Sequence, residues 1–360
     1  MTIEPPAPSP RIPSPHAAAD AGFLRELWYL VLPGPALRPG RLVAKTVLGE
    51  PLVLGRGPDG QPFALRDICP HRGIPLSCGR LDAGQIECAY HGWRFAADGR
   101  CTAIPSLVED QAFDLGRVKV QRYPCREVQG NVWVFFGRDP ETAPPVPELA
   151  DVGAGDLKIA ESMLFHGPLD HAVVGLMDPA HGPFVHRAWW WRSKASMHAK
   201  SKRFEPSPLG FTMVRHRASS NSRAYRLLGG VPETEIVFRL PSIRIEHVRA
   251  GRHVLCGLTA VTPLGPGETE LHHIIYWTMP WLTLLRPLLR PFVRTFLGQD
   301  RDIMAKQQVG LAHNPTLLLI DDADRPAKWY YRLKNEYARA TAAGRPFENP
   351  VKARVLRWRS

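Results

Sequence analysis

The sequence lacks the features that mark several common classes of protein. No run of residues approaches the ~20 uncharged apolar residues of a membrane span. The first residues hold no charged region followed by an apolar one, as a secretory signal would. Six cysteines in 360 residues are too few for a disulfide scaffold. Together these absences predict a cytoplasmic protein whose thiols bind metals or fill cores.

Acidic residues are scarce relative to basic ones, and the formal net charge is +12. The surplus is uneven, since residues 281–360 hold 15 Lys and Arg against 7 Asp and Glu, a local charge of +8. A solvated basic surface is the default interpretation, and docking to an acidic protein or an anionic lipid surface is the sharper one. Because the surplus lies far from the cysteine motif described below, we expect no nucleic-acid partner.

The chain is long enough for two domains with cores of their own. Residues 1–22 are rich in proline and have no apolar run, which predicts a disordered arm. Residues 23–145 contain short Val/Leu-rich runs punctuated by Gly, Pro and Asp, a pattern typical of an antiparallel β domain. Pro144, Pro145 and Pro147 follow and indicate a semi-rigid linker at the domain boundary.

Residues 146–340 are predicted to form a second, α+β domain. TEIVFRL alternates apolar and polar residues as a half-buried strand does, and LPSIRIEHV and ETELHHIIYW also resemble strands. Helical character is expected over residues 170–182 and again after Gly298. We therefore expect a sheet with helices against one face, followed by a basic C-terminal tail at residues 341–360.

Two pairs of cysteine and histidine carry the clearest chemical signal. They read Cys69-Pro-His71 and Cys88-Ala-Tyr-His91. Two thiolates and two imidazoles on two loops suit a structural zinc ion, although zinc modules usually pair Cys with Cys and His with His at short spacing. Buried cysteines beside ordinary histidines would explain none of this spacing. A Rieske [2Fe–2S] cluster, with two thiolates on one iron and two imidazoles on the other, is the third interpretation.

The segment CPHRGIPLSCGRL…CAYHGWRF resembles the Rieske segment of ring-hydroxylating and related oxygenases. This resemblance implies that Cys69 and Cys88 bind one iron of a [2Fe–2S] cluster, and that His71 and His91 bind the other. It also implies an N-terminal antiparallel β Rieske domain followed by a catalytic domain of helix-grip, START-like architecture.

Two further details concern the same loops. Rieske proteins of respiratory complexes carry an additional cysteine in each loop, but this chain has Ile74 and Tyr90 near those places, so the loops resemble the oxygenase type. Cys78 is then a spare thiol, which we expect to be a small buried hydrophobe.

A second group of metal ligands follows in GLMDPAHGPFVH. On an unbroken helix His181 and His186 would stand ~140° apart. Pro183 lies between them and predicts that the helix ends or distorts there, so that His186 approaches His181. A facial triad of non-heme Fe(II) also needs a carboxylate. Asp300 and Asp302 are the candidates at the start of a predicted helix, and being ~200° apart, only one can face the iron.

Placed after a Rieske motif, the pattern Asp-x-x-His-x-x-x-x-His resembles that of the Rieske non-heme iron oxygenases, over residues 25–335. The resemblance implies that His181 and His186 bind a mononuclear iron. Asp300 is in register with the carboxylate of the family and is preferred to Asp302 as the third ligand.

The same resemblance gives Asp178 a different role. It implies that this carboxylate bridges His181 to a Rieske histidine, His91, of a neighbouring subunit for electron transfer, as carboxylates that orient imidazoles do. A head-to-tail homotrimer follows from that arrangement. Many relatives have asparagine three residues earlier, where this chain has Gly175, which makes the local hydrogen bonding less predictable.

The segments DRPAKWYYRLKNEYAR and QDRDIMAKQQ resemble the monooxygenase-type branch of the family, which includes pheophorbide a oxygenase and O-demethylases. The resemblance implies O₂-dependent hydroxylation or oxidative demethylation of a small hydrophobic, cyclic substrate. Ring cis-dihydroxylation is the alternative within the family. A Rieske electron carrier without oxygenase chemistry and a zinc-dependent nucleic-acid binder are the alternatives from other classes.

The chain has no Gly-x-Gly-x-x-Gly after a strand and no second cysteine cluster of ferredoxin spacing. A separate ferredoxin, NAD(P)H-dependent reductase or both must therefore supply the electrons. We expect the pocket to be lined by the sheet within residues 200–280 and by the helix at residues 171–177. Trp189, Trp190 and Trp191 are candidates for its mouth, although such aromatic residues more often belong to a core.

Near residue 290, PWLTLLRPLLRPFVRTFL spaces three arginines four residues apart beside leucines. Such a face suits a membrane surface that holds a lipid-like substrate, or an acidic ferredoxin. Pro287 and Pro291 argue against a regular helix here. A plain surface segment is therefore the default expectation, and peripheral membrane contact is a hypothesis.

Overall fold

A computed structural model describes residues 22–186, 197–217 and 231–360 of the chain. Residues 1–21 of the predicted arm lie outside the described residues, and so do the candidate pocket-mouth residues Trp189, Trp190 and Trp191.

The N-terminal part of the chain forms three small antiparallel sheets. The first, in spatial order, contains β1 (Leu27–Pro33), β11 (Asn131–Phe136) and β10 (Cys125–Val128). The second contains β2 (Val43–Val47), β3 (Glu50–Arg56), β4 (Pro62–Arg66) and β9 (Arg122–Tyr123). The third contains β5 (Arg80–Asp82), β6 (Gln85–Glu87), β7 (Arg94–Phe95) and β8 (Cys101–Ala103).

The C-terminal part contains an eight-stranded antiparallel sheet, referred to below as the large sheet. Its strands, in spatial order, are β12 (Leu157–His166), β18 (Glu268–Trp277), β17 (His253–Gly265), β16 (Ile243–Ala250), β15 (Glu233–Arg239), β14 (Gly210–Arg217), β13 (Ala199–Ser207) and β19 (Arg354–Arg359). The α-helices are α1 (Leu169–Met177), α2 (Gly182–Val185), α3 (Pro280–Leu284), α4 (Arg286–Leu311) and α5 (Arg325–Ala342).

The two parts of the chain share their cores. Strand β11 reads NVWVFF and is buried at every position, because its two faces pack against different neighbours. Trp133 and Phe135 pack in one cluster with Ile274 and Tyr276 of the large sheet, whereas Val134 belongs to a second cluster. One face of the large sheet therefore rests on the N-terminal part.

The other face of the large sheet is covered by helices α4 and α5. Phe238 of β15 meets Tyr330 of α5 edge-on at 5.9 Å between ring centroids. At the opposite edge of the sheet, Glu161 of β12 pairs with Arg290 of α4. The predicted α+β fold, an antiparallel sheet with helices against one face, is confirmed.

Residues 341–360 were predicted to be a separate basic tail, but residues 354–359 belong to this sheet. Strand β19 pairs with β13 and forms its edge. Leu356 and Trp358 are buried in the main core while the residues between and beside them are exposed. Their alternation is the period of two of a half-buried strand, which the high charge of residues 341–360 obscures in the sequence.

The prolines near residue 290 do not prevent a helix. Helix α4 spans 26 residues and contains Pro291. Pro287 lies in its first turn, where an N–H has no partner within the helix. The helix continues past Pro291 because Leu289 and Val293 pack on the large sheet. No helix in the described part of the chain is long and apolar enough to cross a membrane.

Candidate metal centres

The two Cys-His loops have the same backbone turn. The Gly73 N–H donates to the Cys69 carbonyl at 2.9 Å, and the Gly92 N–H donates to the Cys88 carbonyl at 3.0 Å. The N–H of each cysteine in turn donates to the carbonyl of the residue after the glycine, at 2.9 and 2.8 Å. Both glycines have positive φ, 74° and 68°, which a side chain would strain. The repeated turn presents each Cys-His pair in the same way.

The cysteines lie inside these loops and the histidines lie outside. Cys69 and Cys88 are buried, whereas His71 and His91 are exposed with ring centroids 4.6 Å apart. The His71 ring also stacks on Trp93 at 4.5 Å. Burial raises the pKa of the Cys69 thiol to about 11, and a bound metal would displace that proton.

The four candidate ligands form two separate pairs. The two thiols are buried in the loops, whereas the two imidazoles lie together at the exposed tips. A Rieske [2Fe–2S] cluster holds two thiolates on one iron and two imidazoles on the other. The loops therefore fit such a cluster.

Cys78, predicted to be buried, is exposed at the end of a short 3₁₀ helix, Leu76–Cys78. The apolar member of that turn, Leu76, takes the buried position instead. A helical turn of three residues can bury only one of its side chains in the loop core.

The second centre is formed by side chains from two separate segments. His181 and His186 flank the short helix α2, and their Nε2 atoms lie 3.2 Å apart. Asp300 of α4 places Oδ1 3.3 Å from the His186 Nε2 and 3.9 Å from the His181 Nε2. In the part of the chain that the structure describes, this is the one group of three such side chains whose ligand atoms lie within 4.8 Å of one another.

Pro183 does not end the helix that precedes the two histidines, as the sequence predicted. Helix α1 ends at Met177, six residues before Pro183, and the chain turns where the Ala180 N–H donates to Asp178 Oδ1 at 2.7 Å. Pro183 lies in the first turn of α2, where it stabilises a helix start rather than ending one.

Hydrogen bonds fix the orientation of both imidazoles. The His181 Nδ1 lies 2.9 Å from the carbonyl oxygen of Asp178, which can only accept, so this nitrogen carries the proton. The His186 Nδ1 similarly lies 3.1 Å from the Oε1 of Gln299. Both Nε2 atoms are then left with lone pairs toward the shared space. Phe296 stacks on the His186 ring at 3.7 Å and restrains it further.

The carboxylate of the centre is Asp300 and not Asp302. Asp302 is 59% exposed and pairs with Arg301. Asp300 lies in the middle of α4 rather than at the predicted helix start, and burial raises its pKa from 3.8 to about 7. A divalent cation bound between this carboxylate and the two imidazoles would stabilise the ionised carboxylate. The donor set fits a mononuclear iron.

Asp178 lies beside the centre without belonging to it. Its Oδ2 lies 3.7 Å from the His181 Nδ1, and its side chain is 32% exposed. Gln299 and Phe296 contact the ligands as well, but the sequence contains no pattern that identifies either of them, since both act through the tertiary packing of α4.

The chain resembles known proteins in its N-terminal part and, at lower identity, over most of its length. The Rieske [2Fe-2S] domain family matches residues 27–124. Chlorophyllide a oxygenase of Chlamydomonas reinhardtii is 39% identical over 171 residues, which are 47% of this chain and 25% of that protein. Protein TIC 55 of Pisum sativum is 28% identical over 304 residues, which are 80% of this chain and 51% of that protein. The chain thus spans at most about half the length of these relatives.

The fold also matches a solved structure. Dicamba monooxygenase bound to dicamba superposes with a TM-score of 0.74 at 21% identity, over 89% of this chain and 99% of that one. A second structure of that enzyme contains a non-heme iron and dicamba. At this identity the likeness shows the fold alone.

Proposed function

We propose that this chain, which carries a Rieske [2Fe-2S] domain and shares the fold of dicamba monooxygenase, is the terminal oxygenase component of a Rieske oxygenase. It would use O₂ and electrons from separate donors to hydroxylate or oxidatively demethylate a small hydrophobic, ring-containing substrate. The observation that carries this proposal is the convergence of His181, His186 and Asp300 behind the Rieske domain. An electron carrier has no use for a second metal centre.

Each group of side chains has its own task in this proposal. Cys69, Cys88, His71 and His91 would hold the [2Fe–2S] cluster, and His181, His186 and Asp300 would hold the mononuclear iron. When bound, the two groups would supply one-electron storage and dioxygen activation respectively. The three ligand atoms of the second centre approach from two segments, which leaves other coordination positions for O₂ and substrate. The hydrogen bonds from the two Nδ1 atoms keep the imidazoles in the ligating orientation.

Asp178 is proposed to connect the two centres across a subunit contact. Its carboxylate adjoins His181 and is partly exposed, and His91 is exposed at the tip of its loop. A hydrogen-bonded path from His91 of the partner subunit through Asp178 to His181 requires both features. The proposed assembly is a head-to-tail homotrimer, in which every Rieske loop meets the iron centre of the next subunit.

The electron donor is proposed to be a separate ferredoxin, an NAD(P)H-dependent reductase, or both. Rieske oxygenases generally use separate electron donors and small substrates. The sequence lacks a dinucleotide-binding fingerprint, which supports a separate protein as the one that binds NAD(P)H.

We further propose a cytoplasmic protein that contacts membranes peripherally through the start of α4 and the preceding α3. Exposed large apolar side chains line one side of this segment: Trp281 at 43%, Leu284 at 81%, Leu288 at 65% and Phe292 at 52%. Arg286 is also exposed, and residues 281–299 contain three arginines and no acidic residue. An exposed apolar side on a segment whose charged side chains are all basic suits an anionic lipid interface. Unaltered partitioning to anionic vesicles after replacing Leu284 and Leu288 by Ser would reject this contact.

Product analysis tests the proposed reaction. With ¹⁸O₂, a ferredoxin and a reductase, the iron-loaded protein should consume oxygen in a substrate-dependent way. Hydroxylation should place one labelled oxygen atom in the ring product, whereas demethylation should release formaldehyde and leave the ring product unlabelled. Two labelled atoms would assign ring cis-dihydroxylation instead. Iron-loaded protein that shows no substrate-dependent uptake with any ring compound would contradict the oxygenase function.

A further inference from the structure

A row of polar side chains crosses the face of the large sheet that the helices cover. Arg244 of β16 lies directly opposite Thr259 of β17, and Thr259 lies opposite His273 of β18. Residues directly opposite each other in an antiparallel pair project from the same face. The three side chains therefore form one row, which we call the Arg244–His273 row.

The register also identifies the face. At one end Arg244 lies opposite Phe238, which packs on α5. At the other end His273 lies opposite Glu161, which pairs with Arg290 of α4. The row therefore crosses the sheet from the side covered by α5 to the side covered by α4, the helix that carries Asp300.

Some hydrogen-bonding groups of the Arg244–His273 row have a partner in the row or beside it, and others have none. The Arg244 Nη2 donates to the Glu246 Oε2 at 2.7 Å, and the His273 Nδ1 lies 2.8 Å from the Thr259 Oγ1. Within the described residues, Arg244 Nε and Nη1 and His273 Nε2 have no hydrogen-bond partner. Burial lowers the pKa of His273 to about 4, so its ring is neutral at pH 7.

Space adjoins these unused groups. The Arg244 and Glu246 side chains retain 24% and 19% of their exposure, although they project from the helix-covered face. Gly257 lies opposite Glu246 in the register and has no side chain to fill the place beside His273, where a Cβ would lie 3.7 Å from the ring. Solvent therefore reaches this part of the helix-covered face, which is not a packed core.

We propose that the Arg244–His273 row is a substrate subsite that binds an acceptor oxygen, a carboxylate or a ring carbonyl, while the apolar part of the substrate lies toward Asp300. The subsite rests on the proposed oxygenase function and specifies its substrate class. Acceptor oxygens are indicated because the unused groups of Arg244 are N–H donors and cannot accept. If Thr259 donates to the His273 Nδ1, then the His273 Nε2 is a third donor.

Matched pairs of ring compounds test this subsite by binding. The probes are 2-methoxybenzoate with methoxybenzene and 1-tetralone with tetralin, titrated calorimetrically into the iron-loaded enzyme. The oxygen-bearing member of at least one pair should bind ~10-fold or more tightly, as expected for charge-assisted hydrogen bonds. Arg244→Leu should abolish that preference, raising KM far more than it lowers kcat.

One control variant and one further test variant accompany Arg244→Leu. Arg249→Leu removes an arginine from the same strand, where it pairs with Asp151 on the opposite face, and should leave the preference unchanged. Thr259→Val keeps the shape of the side chain and should weaken the preference ~3-fold to ~10-fold, because His273 loses its orienting partner. Iron and cluster content confirm that each variant is folded.

Glu246→Gln separates the two classes of ligand. Removing this negative charge should tighten binding of a carboxylate several-fold, because like charges no longer repel, and should leave binding of a ring carbonyl nearly unchanged. Equal binding within both pairs, no binding by either oxygen-bearing compound, or a preference that survives Arg244→Leu would overturn the subsite. Oxygen uptake with the hydrocarbon members would leave the oxygenase function intact in every one of these cases.

Discussion

The two candidate metal centres are constructed in opposite ways. The Cys-His centre lies within residues 69–93, in two loops with the same hydrogen-bonded turn, and presents its histidines to solvent. The His-His-Asp centre joins segments more than a hundred residues apart, and it buries His186 to 3% exposure. The first is shaped by local backbone geometry and the second by the packing of α4 on the large sheet. An exposed centre can exchange electrons with partners, whereas a buried one can exclude water from reactive chemistry.

Removing a ligand from the buried centre should separate the two functions most strongly. We expect His186→Ala to lose the mononuclear iron and more than ~100-fold of the oxygen uptake, since even outer contacts of metal ligands are worth 10-fold to 100-fold. The cluster should keep its visible and magnetic resonance spectra. Loss of the cluster as well would show that the two centres fold as one unit.

Asp178→Asn tests the connection between the centres. Both metals should stay bound, because Asp178 is a ligand of neither. Oxidation of the reduced cluster in the presence of substrate and O₂ should slow ~10-fold to ~100-fold. The measurement is stopped-flow absorbance of the cluster, and oxidation at the normal rate would contradict the proposed bridge.

The half-buried carboxylate of Asp300 gives the second centre a pH dependence near neutral pH. In iron-free protein the pKa of Asp300 is raised from 3.8 to about 7, so the folded state binds a proton that the unfolded state releases. Its stabilising contribution is complete below about pH 4 and is lost as the pH rises through about 7. We expect the free energy of unfolding to fall by roughly 4 kcal/mol over this range, at about 1.4 kcal/mol for each unit of the pKa shift.

Asp300→Asn, which cannot ionise, should flatten this part of the profile in denaturant titrations. Asp302→Asn is the matched control, because its exposed side chain lies two residues away on the same helix. An unchanged profile for Asp300→Asn would show that another group is responsible.

The smallest expected effect concerns the orientation of His186. Gln299→Leu removes the acceptor of the His186 Nδ1 and should weaken iron binding ~10-fold, measured by competition with a chelator. Gln307→Leu, at an exposed position of the same helix, should bind iron normally. Equal affinities for the two variants would mean that packing against Phe296 is sufficient to orient the ring.

Much of the first centre could be read from the sequence, because its ligands are close neighbours and their order excludes most zinc modules. His181 and His186 were also predictable, although the first helix ends before His181 and Pro183 lies at the start of the short helix between the two histidines. Asp300 was chosen by resemblance and was placed at the start of a helix that in fact begins fourteen residues earlier, at Arg286.

The remaining features depend on tertiary contacts that no local pattern encodes. The Arg244–His273 row arises from the register of three strands, and Gln299 is important only because α4 faces His186. The expectation for Pro291 was wrong because packing against the sheet outweighs the loss of one backbone hydrogen bond. The prediction of a basic tail was wrong at residues 354–359 for a similar reason. Their high charge suggested an exposed segment, but two buried apolar side chains make them an edge strand of the sheet.

The central claim is that one chain holds a two-iron cluster and a separate single iron. Metal analysis of the purified protein, anaerobically loaded with iron, tests it most directly. Three irons per chain, two of which remain in His186→Ala, are the predicted result. Two irons in the unmodified protein, or zinc in place of iron, would contradict the claim.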